Sequence, residues 1–262
     1  MNPTPSLVNK IAIVTGANRG IGRAIAQRLA QDGAAVMLAA RNASLLETAA
    51  GEIREAGGRA HCVSLDLCRP EAPAQLVKEA LANFGVVDIV VNNAGATKRG
   101  NFLELTEEDW ADGYGLKFFG AVRLARAAWP HLAQRQGSLV NIAGIGGRTP
   151  GAEFAIGGSV NAALLSLTKS LAEIGIRDGV QVNAINPGAI RTERLEKRLQ
   201  SVAQETETDA AGAEAEMLRR MKITRFGETR DVADFVAYLV SPAGRFFQGA
   251  LIDLDGGETK TM

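Results

Sequence analysis

A chain of 262 residues, 46% hydrophobic and 22% charged, holds enough apolar material for one large α/β domain with a buried core. Its 29 Lys and Arg balance 29 Asp and Glu, which removes the electrostatic case for a nucleic-acid or anionic-membrane partner. Cys62 and Cys68 are too few for a disulfide framework or a metal site, and no apolar run approaches the ~20 residues of a membrane span. Met1 to Pro5 carries no basic segment leading into an apolar run, so no signal peptide is expected and the reading is cytoplasmic.

Short apolar runs alternate with longer segments of helical period. Residues 10–15 read as a strand, 20–31 as a helix, 35–40 as a strand and 43–56 as a helix. A strand over 60–65, a helix over 71–84 and a strand over 87–91 come next. A long helix is expected over 112–134, a strand over 138–142, a second long helix over 157–176 and a strand over 180–185. The chain closes with a helix over 230–240 and a strand over 250–254. The strands are continuous apolar runs, as a sheet covered on both faces requires. The expected fold is therefore α/β, a single doubly wound Rossmann-type domain over 1–262 with a parallel seven-stranded sheet. The rhythm breaks at 192–222, which is charged and rich in Ala and Glu and reads as a mobile, partly helical lid.

Thr15-Gly16-Ala17-Asn18-Arg19-Gly20-Ile21-Gly22 follows the first strand and opens the first helix. That context suits a pyrophosphate. Gly16 permits a tight turn, Gly20 a close backbone approach and Gly22 close helix–sheet packing, while the helix N-terminus offers free N–H groups. Asp66-Leu67 follows the third strand, Asn92-Asn93-Ala94-Gly95 the fourth, and Asn186-Pro187-Gly188 through Thr192 the sixth. All lie at carboxyl ends of strands, where open α/β sheets bind ligands.

Together these segments resemble the short-chain dehydrogenase/reductase family in its form of about 250 residues, from about Lys10 to the closing Asp255-Gly256-Gly257. The resemblance implies that Asp66 and Leu67 flank an adenine, that Asn93, Ala94 and Gly95 line a ribose, and that Pro187, Gly188 and Thr192 hold the nicotinamide amide. The second strand ends in Ala40-Arg41-Asn42 rather than an acid, and Arg19 stands in the glycine loop. An acid there would repel a 2′-phosphate and an arginine attracts one, so NADP(H) is favoured over NAD(H).

The family's chemistry uses an Asn, a Ser, a Tyr and a Lys. Register through Leu167-Thr-Lys-Ser-Leu-Ala172 puts Gly157 at the Tyr position and Asn161 at the Lys position. Thirteen residues before Gly157, Gly144 stands at the Ser position; seven after Trp110, Lys117 stands at the Asn position. Lys117 and Asn161 are thus expected to serve the catalytic site, and the two glycines to open room beside the nicotinamide for a bulkier or anionic substrate. Lys117 and Arg148 would then be its charge partners, and Glu153 the nearest other acid or base. Tyr114, one turn before Lys117, is a candidate to lean toward the pocket.

The expected function is an oxidoreductase of this family acting on a carbonyl/alcohol small molecule through a non-standard site. Two alternatives stand beside it: an inactive cofactor-binding subunit partnering an active homologue, and a non-redox lyase or isomerase. A homotetramer, or a hetero-oligomer with a homologue, is expected through the two long helices.

Overall fold

The computed structural model describes residues 6–260; the expectation about Met1–Pro5 lies outside the described residues. Seven strands pair in parallel: β1 (Ile11–Thr15), β2 (Ala35–Ala40), β3 (Arg59–Ser64), β4 (Ile89–Asn92), β5 (Ser138–Ile142), β6 (Gln181–Pro187) and β7 (Leu251–Leu254). Their spatial order is β3-β2-β1-β4-β5-β6-β7. Ile13 lies opposite Met37 of β2 on one side and Val90 of β4 on the other. The winding therefore reverses between β1 and β4. Loops leaving those two strands diverge, and a crevice opens at their carboxyl ends.

The helices divide between the two faces. On one side α1 (Gly20–Gln31), α2 (Ala43–Glu55) and α9 (Thr229–Val240) bury Ile25, Leu29, Leu46, Ile53, Val232 and Val236 against the sheet. On the other, α3 (Ala72–Phe84), α5 (Gly120–Arg135) and α6 (Ala155–Asp178) contribute Leu76, Leu124, Leu132 and Ala172. Each large apolar side chain so buried withdraws surface worth about 1.5–3 kcal/mol from water. Asp88, an acid buried at the edge of this interior, accepts from Ile11 N at 3.0 Å and from Lys10 and Arg135 at 3.1 Å, so its charge is compensated.

The first long helix begins earlier than the sequence pattern indicated. Thr106 and Asp109 form a reciprocal capping box that starts α4 (Glu107–Gly113). The chain then widens into a π-turn over Tyr114–Phe119 before continuing as α5. The second long helix extends over Ala155–Asp178 and stops at Gly179, which takes the left-handed conformation.

Residues 192–222 break the strand–helix rhythm, as the sequence indicated. They are helical over most of their length, as a pair, α7 (Glu193–Glu205) and α8 (Ala210–Met221), joined by the non-helical 206–209. Leu195, Leu199, Ala213 and Met217 join Ile223 and Phe226 in a small core of their own. The Ala- and Glu-rich composition is that of an amphipathic helix whose apolar stripe is narrow.

Candidate active site

The glycine loop caps the crevice. Gly16 (φ +65°) and Gly20 (φ +55°) both occupy the left-handed region, and a Cβ on Gly22 would overlap Gly16 O. Asn93 fastens the loop: its Nδ2 donates to Thr15 O at 2.9 Å and to Gly16 O at 3.3 Å. Thr15 Oγ1 accepts from Asn93 N and Ala94 N at 3.0 Å and donates to Val91 O. The ends of β1 and β4 are thus one hydrogen-bonded unit. Arg19 is the N-cap of α1 but gives no side-chain cap, so the first N–H groups face the crevice without a protein acceptor from that residue. Asn18 is half-buried beside it, and Ile21 packs on the core.

At the outer end, Arg41 is exposed at the end of β2, and its carbonyl accepts from Ser64 Oγ at 2.9 Å. Asp66 Oδ1 accepts from Cys68 N at 3.1 Å, which folds the turn after β3. The Leu67 side chain is buried in the core against Gly120. Arg19 ion-pairs with Glu193 of α7 at 2.8 Å, which ties the helical pair to the glycine loop. Thr192 opens α7, with its methyl 3.6 Å from where a Cβ on Gly20 would sit. Gly188 N donates to Leu254 O at 3.1 Å, and a Cβ on Gly188 would lie 2.8 Å from Asp255 Cα.

Lys117 stands in the π-turn. Its Nζ donates to Ala143 O at 2.6 Å, and its stem passes so close to Gly95 that a Cβ there would be 2.8 Å from Cδ. Burial, and secondarily the charge of Arg194, bring its amine down from 10.5 to about 7. Asn161 is buried, with Nδ2 3.0 Å from the place of a Cβ on Gly144, while its Oδ1 has no hydrogen-bond partner. Gly144 has φ +141°, a conformation side-chain-bearing residues rarely take. Lys117, Gly95, Gly144 and Asn161 therefore do converge on one wall of the crevice.

Two expectations fail here, the room over Gly157 and the free charge of Arg148, while Tyr114 and Glu153 are placed without being decided. The room foreseen over Gly157 is filled, because a Cβ there would run into the ring of Phe154. Helical spacing of three residues brings that ring over the glycine. Arg148 is not free for a substrate: it pairs with Asp253 at 3.1 Å and donates to Leu251 O at 3.0 Å. Tyr114 belongs to an aromatic row, between Trp110 (6.4 Å) and Phe118 (6.1 Å). Glu153 is exposed, with its carbonyl bonded to Gly100 N. The sequence reading missed Phe154 and Arg99, whose guanidinium lies 4.2 Å from the Phe154 ring centre. An aromatic residue three before a glycine, at the start of a helix, is the one signal by which the first could have been found.

The left-handed glycines, the seat without a Cβ at Gly22 and the unpartnered Asn161 oxygen all fit a bound dinucleotide. The class is thus a Rossmann-type dinucleotide-binding protein with its ligand cleft at the switch point. A family profile described as enoyl-(acyl carrier protein) reductase matches residues 16–259. An uncharacterized oxidoreductase of Mycobacterium tuberculosis is 41% identical over 255 residues, covering 97% of this chain and 93% of that one. L-sorbose reductase from Gluconobacter frateurii, solved in complex with NADPH and L-sorbose, superposes with a TM-score of 0.94 at 32% identity, over 99% of this chain and 100% of that one. A short-chain dehydrogenase from Burkholderia cenocepacia in complex with NADP gives 0.85 at 32% identity, over 97% and 99%. The chain belongs to the short-chain dehydrogenase/reductase family of NAD(P)-dependent oxidoreductases.

Proposed function

We propose that the protein is an NADP(H)-dependent oxidoreductase acting on a carbonyl/alcohol substrate, with Lys117 as the proton carrier. The observation that carries this reading is the amine of Lys117, enclosed beside Ala143 O with its ionisation near neutral pH. A group titrating at about 7 exchanges protons where an ordinary lysine does not. The nicotinamide, when bound, supplies or accepts a hydride. Lys117 Nζ gives a proton to the substrate oxygen in reduction and takes one in oxidation. Asn161 Oδ1 has lone pairs for a ribose hydroxyl. Gly16, Asn18, Gly20, Ile21 and Gly22 would cradle the pyrophosphate, Asn93 to Gly95 the ribose, Asp66 and the Leu67 backbone the adenine, and Pro187, Gly188 and Thr192 the amide. Arg41 and Arg19 would meet the 2′-phosphate. The NADPH and NADP complexes of the two solved relatives support that preference.

Phe154 supports a second reading, a cofactor-binding subunit without turnover that partners an active homologue, because its ring stands where a phenol would reach. Exposed Ile174 and Ile176 on α6, and Phe119 before α5, support an oligomer built on these helices, in a protein taken to be cytoplasmic. Two measurements test the cofactor assignment and separate the readings. Fluorescence titration is expected to give tighter binding of NADPH than NADH, and equal affinities sink the cofactor assignment. With any carbonyl substrate the wild type reduces, Lys117→Ala is expected to lose about 10²-fold or more of turnover. Unchanged turnover removes Lys117 from the chemistry, and no turnover across a broad carbonyl panel favours the inert subunit.

A further inference from the structure

Arg99 follows β4, and Arg194 and Arg198 sit four residues apart on α7, so the latter two share a helix face. Among the described residues none of the three side chains enters an ion pair or hydrogen bond. The two acids in the first turn of α7 are taken by other arginines: Glu193 by Arg19, and Glu196 by Arg191, which also holds Glu214 and Glu228. The Arg99 guanidinium rests over the Phe154 ring, which closes the cleft above Gly157. Gly100 N, bonded to Glu153 O at 3.1 Å, fixes the Arg99 loop to that wall. A guanidinium held over a ring by a cation–π contact makes no hydrogen bond to it, so its N–H donors are available to an anion.

We propose that Arg99 and Arg194, extended by Arg198, form a subsite for an anionic group carried by the substrate. The proposal rests on the oxidoreductase reading of the same cleft and names its substrate class: a carbonyl or alcohol bearing a carboxylate, sulfonate or phosphate. The charges of these groups act on one another. Burial first, then the charges of Arg198 and Arg194, hold Arg99 below the ordinary guanidinium value, with Glu153 opposing. Arg194 also depresses Lys117, and Arg198 acts on Glu258. Two nearby acids do not neutralise three arginines and a lysine, and like charges gathered without partners favour an arriving counter-charge. The anion would sit against Phe154, close to Lys117, with the reacting oxygen toward the amine.

The test uses the full-length protein saturated with NADPH, titrated calorimetrically with benzoate, benzenesulfonate and phenyl phosphate, and with benzamide as the neutral isostere. At least one anion is expected to bind saturably, about tenfold or more tighter than benzamide, and to weaken as salt rises from roughly 50 to 500 mM. Arg99→Gln and Arg194→Gln are each expected to weaken it about tenfold, while Arg230→Gln on α9 leaves it unchanged. Which anion binds best distinguishes the carboxylate, sulfonate and phosphate sources. Benzamide binding equal to the anions, no saturable anion binding, or anion binding only in the absence of NADPH overturns the proposal. The last result would assign these arginines to the dinucleotide phosphates. Because binding is read without turnover, failure here is distinct from failure of the Lys117 assignment, which is read by turnover.

Discussion

The ring of Phe154 occupies the space that any side chain on Gly157 would need. The two positions are therefore coupled, and each constrains what the other can be. Gly157→Tyr alone is expected to overpack this wall and lose about 1–3 kcal/mol of stability. In Phe154→Ala/Gly157→Tyr the phenol takes the vacated space, and more than half of that loss returns. A double-mutant cycle by urea denaturation measures the coupling; additive effects would show the two positions to be independent.

Lys117 links stability to pH. Its folded-state value of about 7 lies below the ordinary 10.5, so between the two the unfolded chain holds a proton that the folded chain has released. Stability must then fall as pH drops from the upper value to the lower, and the burial penalty is complete below about 7. Lys117→Met removes the penalty. It is expected to be the more stable protein at about pH 6, by on the order of a few kcal/mol, and to lack the rise between about pH 7 and 10. Denaturation midpoints at about pH 6 and 9 check both; parallel curves for the two proteins would contradict it.

Arg41→Ala is expected to weaken NADPH about tenfold, near 1.4 kcal/mol, and to leave NADH unaffected, because only the former carries the 2′-phosphate. Arg19 is the less favourable of the two to test, since Glu193 already neutralises it. Fluorescence titration of both cofactors decides the matter, and equal losses for the two would place Arg41 outside phosphate recognition.

Asn93→Ala removes the two donations that hold Thr15 O and Gly16 O. The expected cost is about 1–3 kcal/mol of stability, with NADPH and NADH weakened alike, because the loop shape rather than a phosphate contact is lost. Thermal unfolding with and without each cofactor reads both effects.

The strands were legible because a sheet covered on both faces favours apolar runs: 35–40 was placed to the residue, and so was 138–142 although Ser138 and Asn141 interrupt it. The glycine loop was legible because its glycines answer to backbone geometry, which is local. The start of α4 was not, since its polar first turn and Gly113 hide the helical period. Arg148 misled because its partner Asp253 lies on a distant strand. Phe154 left only a faint local signal, and the arginines of α7 none, for the same reason. Which side chain fills a space, and which charges lack partners, depend on neighbours brought together only by folding.

The widened turn over Tyr114–Phe119 has a consequence for how this chain tolerates insertion and deletion. An extra residue in a helical turn rotates the preceding helix by about 100° relative to the helix beyond it. The aim of Lys117 at Ala143 O is thus a property of segment length as much as of the lysine itself. A relative that dropped Gly115 would keep the same amino acids around it, yet it would turn the amine off the cleft wall. Homologous chains are therefore best compared here by spacing as well as by residue identity.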